Sequence, residues 1–306
     1  MSSNNFKYRI LSLVILFSSL VTLAGCNSEK FLLRFQERCP VSPINVTVSI
    51  SQWSDIVSKL GGNCTKVTTI LNGSKIDPHE FEPTPADAAK FYNAQLIVIN
   101  GAHYDEWANR LAKTMAPSAV TLKIVSLNEE FSVNPHVWYS PAVINETADR
   151  VTKVLSQLSP KIYNYFIQRQ IEFKYLMMPY QQLIISLKTK ISGKRYAATE
   201  NIFDNMASAI GLVNKTPLKY RSTSLNDSNC SPADLESFLH LLMDKSIDVL
   251  IYNTQTEGSL PKQIRTTAKN FGIPVVDITE TLPSDESSFT NWQVNQLAAL
   301  AKALKV

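Results

Sequence analysis

Apolar positions along residues 44–125 switch repeatedly between two periods. Val46, Val48 and Ile50 alternate as in a strand, then Trp53, Ile56, Val57 and Leu60 recur at helical spacing until Gly61-Gly62 stops the run. Val67 to Leu71 predicts the next strand. Thr84, Pro85 and Asp87 mark a helix start, with the threonine as N-cap and the proline at the first helical position. Leu96 to Asn100 reads as a buried strand, 104–114 as a helix and Val120 to Val125 as a strand, and Ser140-Pro141 opens another helix. Residues 159–190 hold few Gly or Ser and many Leu, Ile, Tyr, Gln and Lys, which predicts one long helix with Pro179 as the place for a bend. The alternation then resumes. Arg195 to Thr199 reads as a strand, Ile202 to Ile210 as a helix ended by Gly211, and a short strand is expected near Leu218. A helix opened by Ser231-Pro232 carries Leu235, Phe238, Leu239 and Leu242; strands follow at Val249 to Tyr252 and Ile273 to Asp277, and Trp292 to Leu304 closes the chain as a helix. This order predicts an α/β protein of two strand-helix lobes with parallel-type sheets, residues 40–158 and 191–306, joined by one long helix over 159–190.

Composition narrows the class without naming it. With 306 residues, 44% hydrophobic and 18% charged, the chain has room for two ordinary globular domains. A formal charge of +4 with no extended Lys/Arg block gives no nucleic-acid footprint. Residues 1–25 stand apart: Lys7 and Arg9 precede an apolar run from Ile10 to Thr22, too short for a comfortable membrane span, and Leu23-Ala24-Gly25-Cys26 follows. This is the form of an export signal. Its end resembles the lipobox of bacterial lipoproteins, which implies that Cys26 is the lipidated first residue of the mature chain and that 26–39 is a tether holding the domain at the outer face of the cell membrane. Three further cysteines remain. Cys39 and Cys64 each precede a predicted strand, so parallel neighbouring strands would bring them together at one sheet edge, and a disulfide between them is expected. Cys230 is then unpaired, and with no Cys-x-x-Cys a thiolate metal site is not expected.

The candidate chemistry lies in two of the four histidines. His79 sits in Asp77-Pro78-His79-Glu80-Phe81-Glu82-Pro83-Thr84-Pro85 and His136 in Asn134-Pro135-His136-Val137-Trp138-Tyr139-Ser140-Pro141. A proline before each imidazole and another soon after place both on stiff loops between strand and helix, a setting that suits metal ligands. Ligands of open parallel sheets bind beyond the carboxyl ends of the strands. The His and carboxylate residues found there are His79 and His136 before the long helix and Glu200 and Glu280 after it. Two from each half would hold one cation in the interlobe cleft. Asp277 competes with Glu280 for the fourth place. His103 also follows a strand and reads as rim or supporting residue, His240 as a surface residue of an amphipathic helix, and Glu80 and Glu82 as solvated neighbours of a ligand.

At these motifs the chain resembles the cluster A-I substrate-binding lipoproteins of bacterial ATP-binding-cassette importers for manganese and zinc. The resemblance rests on the His79 and His136 segments, on Thr199-Glu200-Asn201-Ile202-Phe203 followed by Gly211-Leu212, and on Pro274-Val275-Val276 leading to Thr279-Glu280-Thr281-Leu282-Pro283 and Trp292. It implies two lobes bridged by a long helix, with His79 and His136 as nitrogen ligands and Glu200 and Glu280 as oxygen ligands of one divalent ion, Mn2+ or Zn2+, carried as cargo. It also implies a permease and its ATPase as partners, a monomer, and no enzymatic chemistry. The chain departs from the family in having Ser140 where an aspartate is usual, Glu200 where zinc carriers often have histidine, Glu280 where aspartate is frequent, and no histidine-rich stretch between Leu127 and Asn134. Two imidazoles with two carboxylates form a hard, oxygen-rich set that tilts toward manganese, although Zn2+ outcompetes Mn2+ at most such sites. A metal-dependent hydrolase is the competing class, without a His-Glu-x-x-His or nucleophile motif to support it; a surface adhesin is another, with no discriminating sequence feature.

Overall fold

A computed structural model of the protein describes residues 38–73, 81–125, 134–225, 230–256 and 258–306. The first half runs β1 (Ile44–Ile50), α1 (Ser51–Gly61), β2 (Thr65–Leu71), α2 (Pro85–Ala89), β3 (Leu96–Ile99), α3 (Glu106–Met115) and β4 (Val120–Lys123). Next come α4 (Pro141–Leu158), α5 (Tyr163–Leu176) and α6 (Met178–Ile191). The second half runs β5 (Arg195–Ala198), α7 (Asp204–Ala209), β6 (Val213–Asn214), α8 (Leu218–Leu225), α9 (Pro232–Met243), β7 (Val249–Asn253), α10 (Ser259–Asn270), β8 (Val275–Ile278) and α11 (Phe289–Ala303). The strands form two parallel sheets in the orders β2-β1-β3-β4 and β6-β5-β7-β8, so the second half repeats the topology of the first.

Burial explains which strands lie where. The central strands β3 and β7 are buried along their whole length, as expected of strands covered on both faces, whereas edge strand β2 alternates through Thr and Lys and is only partly covered. Trp53, Ile56, Val57 and Leu60 of α1 are fully buried. Two helix starts follow from side-chain chemistry. Thr84 and Asp87 form a reciprocal capping box on α2, and the Ser140 hydroxyl accepts the Val143 N–H at 3.4 Å at the head of α4.

Over 159–190, where one helix with a bend at Pro179 is expected, a 3-10 turn (Pro160–Ile162) leads into α5 and α6, which meet at Met177. Pro179 falls in the first turn of α6, where a missing N–H costs nothing, so the break precedes it. The strand expected near Leu218 is a correction. Only Val213 and Asn214 pair with β5, opposite Arg195 and Tyr196, while Pro217 pre-sets a helical turn and accepts the Arg221 N–H at 2.9 Å; Leu218 begins α8 with 80% of its surface exposed.

Pro43–Val306 forms one unit and the chain up to Ser42 another. Cys39 in the shorter unit and Cys64 in the larger are each disulfide-bonded, and Cys230 is a free thiol. Among the described residues no helix is long and apolar enough to cross a membrane. Cys26 lies outside the described residues.

Candidate metal centre

The site is built at the carboxyl ends of the strands, as parallel sheets dictate. His136 opens a 3-10 turn (Val137–Tyr139) after β4 and is 6% exposed. Its environment fixes the ring chemically. The Asn134 side-chain oxygen accepts the His136 backbone N–H at 3.0 Å and lies 2.8 Å from Nδ1, while the same amide's NH2 group donates to the Asn201 carbonyl at 2.7 Å. With the amide oriented from both ends, Nδ1 must carry the proton, which leaves the Nε2 lone pair available. Tyr104 and Trp138 stand edge-on to the imidazole, with centroids 5.9 and 5.3 Å away, and prevent it from turning.

Glu280 follows β8. Its Oε1 lies 3.4 Å from His136 Nε2 and accepts the Tyr104 hydroxyl at 2.7 Å. Neighbouring Thr279 is pinned from three sides. Its carbonyl accepts the Tyr139 hydroxyl at 2.6 Å, its N–H donates to Gln296 Oε1 at 3.0 Å, and its hydroxyl accepts Trp292 Nε1–H at 2.8 Å.

Glu200 follows β5 in extended backbone. One carboxylate oxygen accepts Asn253 Nδ2–H at 2.8 Å and the other accepts the Thr256 hydroxyl. Burial pushes its pKa up, against the pull of these two donors; Glu280 nearby pushes it up as well and His136 lowers it. The three side chains therefore share one electrostatic neighbourhood.

The remaining candidates separate from these. His79 lies outside the described residues, as does Glu80, but Phe81 just after them packs edge-on against Trp107 of α3 with centroids 4.8 Å apart. Asp277 sits on β8, half exposed, in an ion pair of 2.5 Å with Arg265 of α10. His103 is exposed, Glu82 is exposed, and His240 on α9 is exposed with Glu236 one turn away at 3.8 Å. Among the described residues no three or more His, Cys, Asp and Glu side chains are gathered as a metal-holding group. The closest approach to one is the His136 and Glu280 pair, with Glu200 turned onto Asn253 and Thr256.

Sequence reasoning missed the residues that orient the ligand candidates: Tyr104, Asn134, Asn253 and Thr256. The available signal was positional, since Asn100 and Asn253 each end a buried strand, where an uncharged amide needs partners. The Asn100 side chain meets the need by accepting Trp53 Nε1–H at 3.0 Å and donating to the carbonyls of Gly101 and Pro135 at 3.1 and 3.0 Å. It ties the end of β3 to the loop that carries His136.

Two parallel sheets of like topology, with a buried His136 and a part-buried Glu280 facing one another beyond their strand ends, define a two-lobed α/β protein with a candidate ion site. The model of the family described as zinc-uptake complex component A periplasmic matches residues 46–303, and the chain belongs to that family. It is 24% identical over 289 residues to the metal ABC transporter substrate-binding lipoprotein SloC of Streptococcus mutans, covering 88% of each chain. It is 23% identical over 189 residues to the high-affinity zinc uptake system protein ZnuA of Bacillus subtilis, covering 55% of this chain and 59% of the relative. Among solved structures, the SBP FpvC of Pseudomonas aeruginosa in complex with Mn2+ superposes with a TM-score of 0.70 at 15% identity, over 86% of this chain and 99% of that one.

Proposed function

We propose that the protein is the substrate-binding component of an ABC importer, which captures one divalent transition metal, Mn2+ or Zn2+, outside the cytoplasm and delivers it to a permease and its ATPase. The observation that carries this reading is the His136 and Glu280 pair. With Nδ1 protonated toward Asn134, two lone-pair acceptors face one another at 3.4 Å, an arrangement that calls for a cation or a proton between them. Two ligand atoms each about 2.0–2.2 Å from one ion stand about 3–3.5 Å apart. A part-buried Glu200 whose partners are neutral donors supplies further negative charge close by.

The ligand set in this reading is His79 and His136 from the first lobe and Glu200 and Glu280 from the second. Domain limits follow the same division: signal peptide 1–25, tether 26–39, lobes 40–158 and 191–306, and a helical connection over 159–190. Cys26 carries the lipid, Cys39 pairs with Cys64, and the carrier acts as a monomer that performs no chemistry on its cargo. Four protein ligands would close the ion to substrate water, which separates a carrier from a hydrolase.

Elemental analysis of protein purified without added metal, followed by calorimetric titration with Mn2+ and Zn2+, tests the proposal. One ion per chain, bound tightly and lost on mutation of His136, is the expected result. No saturable binding of either ion would overturn it.

A further inference from the structure

Tyr139 closes the 3-10 turn that His136 opens, and its N–H donates to the His136 carbonyl at 3.2 Å. The turn therefore carries the imidazole and the phenol as one piece. The phenol is fully buried and reaches into the second half of the molecule. Its ring meets Phe203 and Trp292 with centroids 5.6 and 5.7 Å away, and its hydroxyl lies 2.6 Å from the Thr279 carbonyl oxygen and 2.8 Å from Gln296 Oε1. Gln296 presents its oxygen here because it also accepts the Thr279 N–H at 3.0 Å, so the one phenolic proton sits between two acceptors of the second half. The Thr279 carbonyl belongs to the peptide unit joined to Glu280. A second side chain of the first half, the fully buried Gln52, donates from Nε2 to the next carbonyl, that of Glu280 itself, at 3.3 Å.

We propose that Tyr139 is a positioning residue of the metal site: its hydroxyl, joined rigidly to the His136 turn, holds the Glu280 peptide where both side chains can meet one ion. The inference rests on the carrier reading and deepens it. The Tyr139 bond spans the two halves and exists only while the His136 turn and the Glu280 loop are together. Its free energy therefore favours the paired arrangement over a separated one, and an ion that binds the paired arrangement gains affinity by that amount. Bonds within one half, such as that from Trp292 Nε1–H to the Thr279 hydroxyl, favour neither arrangement. The hold acts on the backbone of the ligand loop, whatever else the Glu280 carboxylate touches.

The test is Tyr139→Phe in the full chain, which removes the hydroxyl and keeps the ring between Phe203 and Trp292. Titration with Mn2+ and Zn2+ should show both ions bound about five- to tenfold more weakly, the worth of one hydrogen bond. The same substitution in a Glu280→Gln background supplies a readout that a merely structural role would not move: with the positioned carboxylate gone, Tyr139→Phe should change affinity by less than about twofold. Thermal melting of the metal-free variants checks the fold. Gln52→Met, which deletes the neighbouring donor from the first half, takes the place of Tyr139→Phe should that variant not fold, with the same pattern of losses expected. Affinity unmoved by Tyr139→Phe, equal losses in both backgrounds, or Glu280→Gln binding as tightly as the unmodified chain would overturn the inference. His136→Ala in the same titration keeps the two readings apart: if it abolishes binding while Tyr139→Phe leaves affinity unmoved, only the role of Tyr139 falls, and if it changes nothing, the carrier site itself falls.

Discussion

The loop that carries His136 and the loop that carries Glu200 sit at equivalent ends of two sheets with the same strand order, yet they prepare their side chains differently. His136 is locked: Asn134 fixes its tautomer, Tyr104 and Trp138 fix its plane, and Asn205 Nδ2–H donates to its carbonyl at 3.0 Å. Glu200 is engaged elsewhere, with both carboxylate oxygens on hydrogen-bond donors of its own lobe. One lobe presents an imidazole already oriented, and the other a carboxylate that, in the proposed ligand set, would have to exchange hydrogen bonds for an ion. A carrier has to bind tightly and still let go, and under the proposed ligand set the difference would give capture to the first lobe and adjustment to the second.

The comparison predicts its largest effect at the oriented imidazole. His136→Ala should weaken Mn2+ and Zn2+ binding by more than about 100-fold, since even residues behind a ligand are worth roughly 10–100-fold; calorimetry reads this, with a metal-free melting curve as control. A change below tenfold would mean that the first lobe is not where capture occurs. Asn134→Ala should come next, at about 10–100-fold, because the proton on the imidazole is then free to move to Nε2. Loss of only a few-fold would show that the aromatic walls suffice to orient the ring.

Thr256→Val probes the other side of the comparison. It deletes one donor to Glu200 while Asn253 remains, so affinity should fall by only a few-fold, less than for Asn134→Ala. Tighter binding would reverse the picture, making Thr256 a competitor of the ion and Glu200 the restrained ligand.

The two loops were also unequally legible in the sequence. The alternation of apolar periods and the Pro-flanked histidines pointed to paired sheets with a site at their strand ends, because buried strands and capped helices leave local signatures. Thr84, Ser140 and Ser231 declared their helices through side chains acting three residues away. The hydrogen bonds that set the ligand candidates do not act locally: Tyr104 reaches Glu280 across 176 residues and Glu200 meets Asn253 across 53. Nor did local pattern place the turn after β3, where Ala102 and His103 adopt left-handed backbone that their side chains disfavour. The strand expected near Leu218 failed for a related reason, since two residues of real pairing against β5 outweighed an apolar residue whose neighbour Pro217 starts a helix.

Asp277→Asn carries the smallest expected effect and settles which acidic residue of the β8 segment faces the ion. Along β8 side chains alternate, with Val276 and Ile278 buried and Asp277 pointing outward, where its carboxylate pairs with Arg265, itself stacked over the Tyr252 ring at 4.6 Å. The pair is half exposed, so its loss should cost no more than about 1 kcal/mol of stability. Metal affinity should stay within about twofold of the unmodified protein, because the alternation that turns Asp277 away lets the chain bring Glu280, two residues past the strand end, to His136. A loss of affinity matching that of Glu280→Gln would move the fourth ligand to Asp277, and with it the second lobe's contribution from the loop to the strand.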